Sequence, residues 1–93
     1  MANYLILHIG FEKPDDAAMA EWDTWFQRIS DIQQQQLGLM NGQEISSDGI
    51  KELGWDLQSM TGCNIIEAES LEAAIDIAKQ APRVTATRVY ELR

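Results

Sequence analysis

The segment Tyr4-Leu5-Ile6-Leu7-His8-Ile9-Gly10, YLILHIG, decides how the rest of the chain is read. A strand with one wet face alternates apolar and polar residues. Here both alternating sets are apolar: Leu5, Leu7 and Ile9 share one face, and Tyr4, Ile6 and the only histidine, His8, share the other. Such a strand belongs at the centre of a sheet and needs cover on both sides. Leu5, Leu7 and Ile9 are the more aliphatic set and are expected to pack on helices. Parity then puts Tyr4, Ile6 and His8 on the face away from the helices, in a cavity between subunits.

Outward from this strand, Gly10 closes it and Phe11-Glu12-Lys13 forms a loop. Pro14-Asp15-Asp16 opens a helix, because proline suits a first helical turn and carboxylates suit the positive end of the helix dipole. Ala18, Trp22, Trp25, Ile29 and Ile32 recur at steps of three and four. That spacing predicts a helix to about Gln35, with Gln33 to Gln36 as its solvated last turn and Gly38 as its stop. Asn41 to Ile45 reads as a short second strand, and Ser46-Ser47-Asp48-Gly49 as a turn. Ile50 to Met60 reads either as a returning hairpin arm or as a loop pinned by Trp55. Cys63 to Ala68 is the third strand. Ser70 caps a second helix with the apolar face Leu71, Ala74, Ile75 and Ala78, which Ala81-Pro82 ends. Ala86 to Leu92 is the last strand.

The order strand, helix, strand, strand, helix, strand is the split βαβ pattern of ferredoxin-like α+β domains. It predicts one domain over residues 1–93, with two helices on one face of a four-stranded antiparallel sheet. No segment is spare to cover the other face. A second copy of the chain would do so, giving a symmetric homodimer; the alternative is that Ile50 to Met60 folds over it.

Composition narrows the function. The 93 residues carry a formal net charge of −8, and the seven Lys and Arg residues are scattered. Nucleic acid and anionic membrane surfaces are therefore not expected partners. Cys63 is the sole cysteine, so no intrachain disulfide forms, and a reducing cytoplasm is the expected location. Met1-Ala2-Asn3 has no signal-peptide pattern, and no apolar run is long enough to span a membrane. Phosphate loops, zinc spacings and dinucleotide fingerprints are absent, so no cofactor or metal is expected.

The stretches YLILHIG, AEWDTWFQRI, GLMNGQEISSDG, GCNIIEAESLEAAIDIAKQAP and TRVYEL together resemble the YCII-related family, including its DGPF-type branch. Gly62 to Pro82 carries the likeness most strongly. The resemblance implies a dimeric α+β barrel with a pocket between sheet and helices or between subunits. It also implies a catalytic pair in YciI-like members, a His on the first helix and an Asp before the proline that ends the second. Here the first helix has Trp22, Asp23 and Trp25 and no His, the residue before Pro82 is Ala81, and DGPF itself is missing.

The chain's own candidates are few. His8 titrates near neutrality and could act as an acid, a base or a ligand hook, or be a neutral imidazole bonded to protein. Tyr4 shares its face. Arg88 and Tyr90 could meet His8 across the sheet, with Arg88 as a carboxylate clamp or a solvated edge residue. Trp55 could be a lid or a dimer contact. Trp22 and Trp25 read as core packing or as an aromatic pocket wall. Cys63 could be a nucleophile but reads as inert strand packing. Glu12, Asp15 and Asp16 could bind a cation, although helix-start electrostatics account for them. Two functions follow: a small-molecule-binding domain that could act as a cofactor-independent enzyme on a small organic acid or aromatic substrate with His8 as catalytic residue, or a non-catalytic dimeric binding or interaction module.

Overall fold

A computed structural model describes residues 1–93. Strand β1 (Ala2–Ile9) leads to helix α1 (Asp16–Ile29), then to β2 (Gln33–Gly38), a hairpin of β3 (Gln43–Ser46) and β4 (Gly49–Glu52), then β5 (Met60–Ala68), helix α2 (Leu71–Lys79) and β6 (Ala86–Glu91). The main sheet has the order β2-β5-β1-β6, and all its neighbours are antiparallel. β1 and β5 are its central strands. The result is an α+β domain with two helices and a four-stranded antiparallel sheet, an order compatible with the ferredoxin-like arrangement.

Both helix starts follow from capping. Asp15 accepts from the backbone N–H of Ala18, and Ser70 from that of Ala73. Gly10 ends β1 with φ 110°, a conformation that side chains other than glycine's strain against, and a Cβ there would collide with Thr85. Its N–H donates to the Ser59 carbonyl, which ties the 53–59 loop to the end of the sheet.

Helix α1 is shorter than its pattern predicts. It stops at Ile29, and Gln33 to Gly38 form edge strand β2 instead of a last turn. The glutamine backbones pair with β5 (Gln36 opposite Asn64, Leu37 opposite Cys63), and that ladder outweighs a weak helical preference. The expected second strand at Asn41 to Ile45 is displaced in the same way: β3 pairs only with β4, outside the main sheet. The hairpin reading of the residues after Gly49 holds as far as Glu52.

The face assignment of β1 is reversed. Tyr4, Ile6 and His8 are buried beneath the helices, not turned away from them. A single core cluster joins Tyr4, Ile6, Ile66 and Ala68 of the sheet to Trp25, Ile29, Ala74 and Ala78 of the helices. Leu5 and Leu7 are half-buried on the opposite face, while Ile9, beyond an irregularity in the β1–β5 ladder, is buried. Counting aliphatics failed because α1 supplies Trp22, Trp25 and Phe26, enough aromatic surface to pack a histidine edge-on. The two helices also sit differently. Small Ala74 and Ala78 let α2 approach β1, β5 and β6 closely, whereas α1, carrying the tryptophans, approaches no strand as closely. The molecule is only 18 Å across its thinnest dimension, which is one sheet and one layer of helices.

Candidate functional site

The cleft lies where α1 stands off the sheet. On the helix face, His8 is opposite Gly62 of β5, and Gly62 is opposite Gly38 of β2. Two successive positions of this row thus lack side chains. A Cβ at Gly38 would meet nothing within 4 Å. The space so left is a cleft of about 200 Å³. Trp22 and Phe26 wall it from the helix side, stacked with ring centroids 5.6 Å apart and planes 28° apart. Gln36 and Asn64 of the helix face and Thr61 complete the lining, with the strand segments at Leu37 and Cys63, whose positions belong to the far face.

His8 is 8% exposed and is held on both flanks. Its ring is edge-on to Trp22 at 4.9 Å and to Trp25 at 5.5 Å. Its Nε2 is 2.7 Å from Oδ1 of Asn64, a residue 1% exposed. Asn64 Nδ2 in turn donates to Gln33 Oε1 at 2.6 Å. An amide that donates to Gln33 presents its oxygen to the ring, so this chain of bonds assigns the proton to Nε2. Nδ1 is then a bare acceptor, buried and without a hydrogen-bond partner. Buried polar atoms are almost always paired, so an orphaned one in a residue that lines a cleft points to a ligand group that reaches it once a neighbouring side chain gives way. Burial pulls the His8 pKa below its ordinary value, the bond to Asn64 opposing this, so the ring is neutral at physiological pH.

The other candidates do not converge on His8. Arg88 is opposite Leu7, and Tyr90 is opposite Leu5, so both stand on the far face of the sheet and are exposed. An arginine cannot be buried between sheet and helix without a partner, and β6 turns it out accordingly. The carboxylate clamp is corrected on this ground. Tyr4 does share the face of His8 but is core, opposite Ile66 and part of the cluster under the helices. Trp55 is half exposed and packs on Phe11 at 5.1 Å, at the end of the sheet and outside the cleft lining. Cys63 is opposite Leu7 and Leu37 on the far face, and burial raises its thiol pKa, so it is a packing residue. Asp15 is spent as the α1 cap, and no group of His, Cys, Asp and Glu residues could hold a metal.

Trp25 and Trp22 divide between the two readings open for them. Trp25 is core, 1% exposed, and donates from Nε1 to the Ile77 carbonyl at 3.0 Å, which fastens α1 to α2. Trp22 is half-buried and faces the cleft. Sequence reasoning missed Asn64, Gln33, Gly38 and Gly62. The pair Gly62 and Asn64, alternating with Cys63 in an otherwise apolar strand, is the signal that marks the cleft face. A second groove of about 400 Å³ runs between α1 and α2, but Glu21, Thr24, Arg28 and Gln80 line it as exposed helix surface, and Arg28 already bonds to Gln80.

No family model matches the chain, and a search of curated proteins finds no match. No helix is long and apolar enough to cross a membrane.

Proposed function

We propose that the chain is a YCII-related small-molecule-binding domain whose ligand occupies the cleft between α1 and the sheet. The orphaned Nδ1 of His8, buried at a cleft floored by two glycines, carries this reading. The size supports it: a cavity of ~150 Å³ is known to admit benzene, and this cleft is somewhat larger. Any turnover there is cofactor-independent and runs through His8 as the base, since the other titratable residue of the lining, Cys63, has its thiol pKa raised by burial and stands opposite Leu7 of the far face. The element order and the β2-β5-β1-β6 sheet support the family reading, and the single free thiol suits a cytoplasmic protein. Native mass spectrometry and a thermal-shift panel of metabolites on the purified protein test the proposal. A bound small molecule lost from a Gly38→Val variant is the expected result. A cleft that stays empty against the whole panel, in a protein whose melting temperature nothing moves, would contradict it.

A second reading, a homodimer, rests on the other sheet face. Leu5, Leu7 and Ile65 are half-buried there, beside exposed Leu37 and Tyr90. The 53–59 loop is tied to the end of the sheet through Gly10 and Phe11, and the domain has no third layer. A largely apolar face of this kind, with Arg88 beside Leu7 and Gln35 beside Ile65 at its two edges, suits an isologous contact with a second copy. The dimeric barrel of the family resemblance is that contact made sheet to sheet. It is compatible with the cleft reading, because the cleft opens on the helix side.

A further inference from the structure

We propose that the ligand of the cleft is an uncharged planar ring bearing one O–H or N–H donor, a phenol or its heteroaromatic equivalent, bonded through that donor to Nδ1 of His8. This rests on the reading of the cleft as a small-molecule site and names the chemical class it takes.

Three observations converge. The first is the polarity of the hook. Asn64 Nδ2 donates to Gln33, so Asn64 Oδ1 takes the Nε2 proton of His8 and leaves Nδ1 able only to accept. A carboxylate, itself an acceptor, cannot bond Nδ1. The second is charge. The lining contains no Lys or Arg, and Arg88 stands on the opposite face of the sheet. The chain carries a net charge of −8, so an anion entering a partly buried cleft meets no opposite charge. This separates the aromatic from the organic acid. The third is shape. Trp22 and Phe26 form a stacked aromatic wall facing a floor stripped of side chains at Gly38 and Gly62. A flat ring fits between a wall and a bare floor, and a single substituted ring matches about 200 Å³. The lowered pKa of His8 keeps its acceptor free at neutral pH.

The test uses three probes of one shape: 4-methylphenol, 4-methylanisole and 4-methylbenzoate. Each is titrated into the purified full-length protein by calorimetry, while the imidazole nitrogens of His8 are followed by NMR. The phenol is expected to bind and to move the Nδ1 resonance. The methyl ether, which lacks the donor, is expected to bind about tenfold more weakly, and the benzoate not measurably. Gly38→Val, at an edge-strand position with open space around its Cβ, is expected to abolish phenol binding with the melting temperature kept; Gly38→Ala is the milder companion and should weaken it. If the ether or the benzoate binds as tightly as the phenol, and Gly38→Val still abolishes binding, the donor claim is overturned and the cleft reading survives. If phenol binding is indifferent to both glycine variants, or no probe binds, the cleft reading fails with it.

Discussion

Asn64→Ala should be among the most costly single changes at the site, and a compensating double change should remove most of the cost. Asn64 is 1% exposed and bonds His8 on one side and Gln33 on the other. Truncation strands the His8 Nε2–H in a buried ring whose Nδ1 is already unpaired, a desolvation cost of about 1–3 kcal/mol. Gln33 is only half-buried and can turn to solvent, so its lost bond adds about 0.5–1.5 kcal/mol. The total is roughly 1.5–4.5 kcal/mol, a large share of the ~5–15 kcal/mol that holds a typical domain. His8→Leu alone should cost less, because it strands Asn64 Oδ1 but adds apolar surface beside Trp22 and Trp25. The double variant His8→Leu/Asn64→Leu replaces the polar pair with two apolar groups. The adjoining cleft gives the larger side chain room, so the double variant should lie within ~1 kcal/mol of the parent. The assay is urea unfolding followed by tryptophan fluorescence at one fixed protein concentration, with the coupling energy taken from the cycle. A coupling below ~0.5 kcal/mol would refute the reasoning, because two groups that strand each other when cut singly cannot be additive.

Trp25→Ala should destabilise by about 3–5 kcal/mol, and Trp22→Ala by clearly less, since Trp22 already faces the cleft; equal losses in denaturant titrations would contradict the division. Burial lowers the His8 pKa, so the unfolded chain takes up the proton first as pH falls. The neutral ring's contribution is complete above the unfolded value near 6.5 and is lost as pH falls from there through the lower folded value. Melting curves between pH 7.5 and 5 should therefore show a loss that the His8→Leu variant lacks; parallel curves would contradict the shift. Leu5→Lys, on the open face between Ile65 and Tyr90, should give monomers with an unchanged far-ultraviolet spectrum; light scattering that finds the parent monomeric at micromolar concentration would end the dimer reading.

Both helices and three of the four main-sheet strands were legible because each pattern had a local cause: the cap at Ser70, Pro14 and two carboxylates at the start of the first helix, a stop at Pro82, and β-rich runs at either end. Strand β2 was not. Gln33 to Gly38 lies almost wholly exposed on a sheet edge, so neither face carries an apolar period, and only its pairing with β5 makes it a strand. The parity of β1 was also hidden, since both of its faces are apolar. β6 held the answer in principle. Arg88 has no place in a dry layer under helices, so Thr87 and Val89 must face inward, and Val89 is opposite Ile6. That inference needs the register of two strands some eighty residues apart, and register is a property of the folded sheet. Asn64 and the glycine row were invisible for the same reason: their meaning lies in what stands across the ladder.

The central claim is that His8, in the lining of a cleft, carries a bare, buried acceptor. The chain has one histidine, so its imidazole resonances assign themselves. The direct measurement is a long-range nitrogen–proton correlation spectrum of the ring at pH 7.5, where the neutral form prevails. A single fixed tautomer is predicted, with Nε2 protonated and Nδ1 at the position of an unprotonated nitrogen that moves when 4-methylphenol is added. Two nitrogens averaged to a common intermediate position, or a protonated Nδ1, would contradict the account.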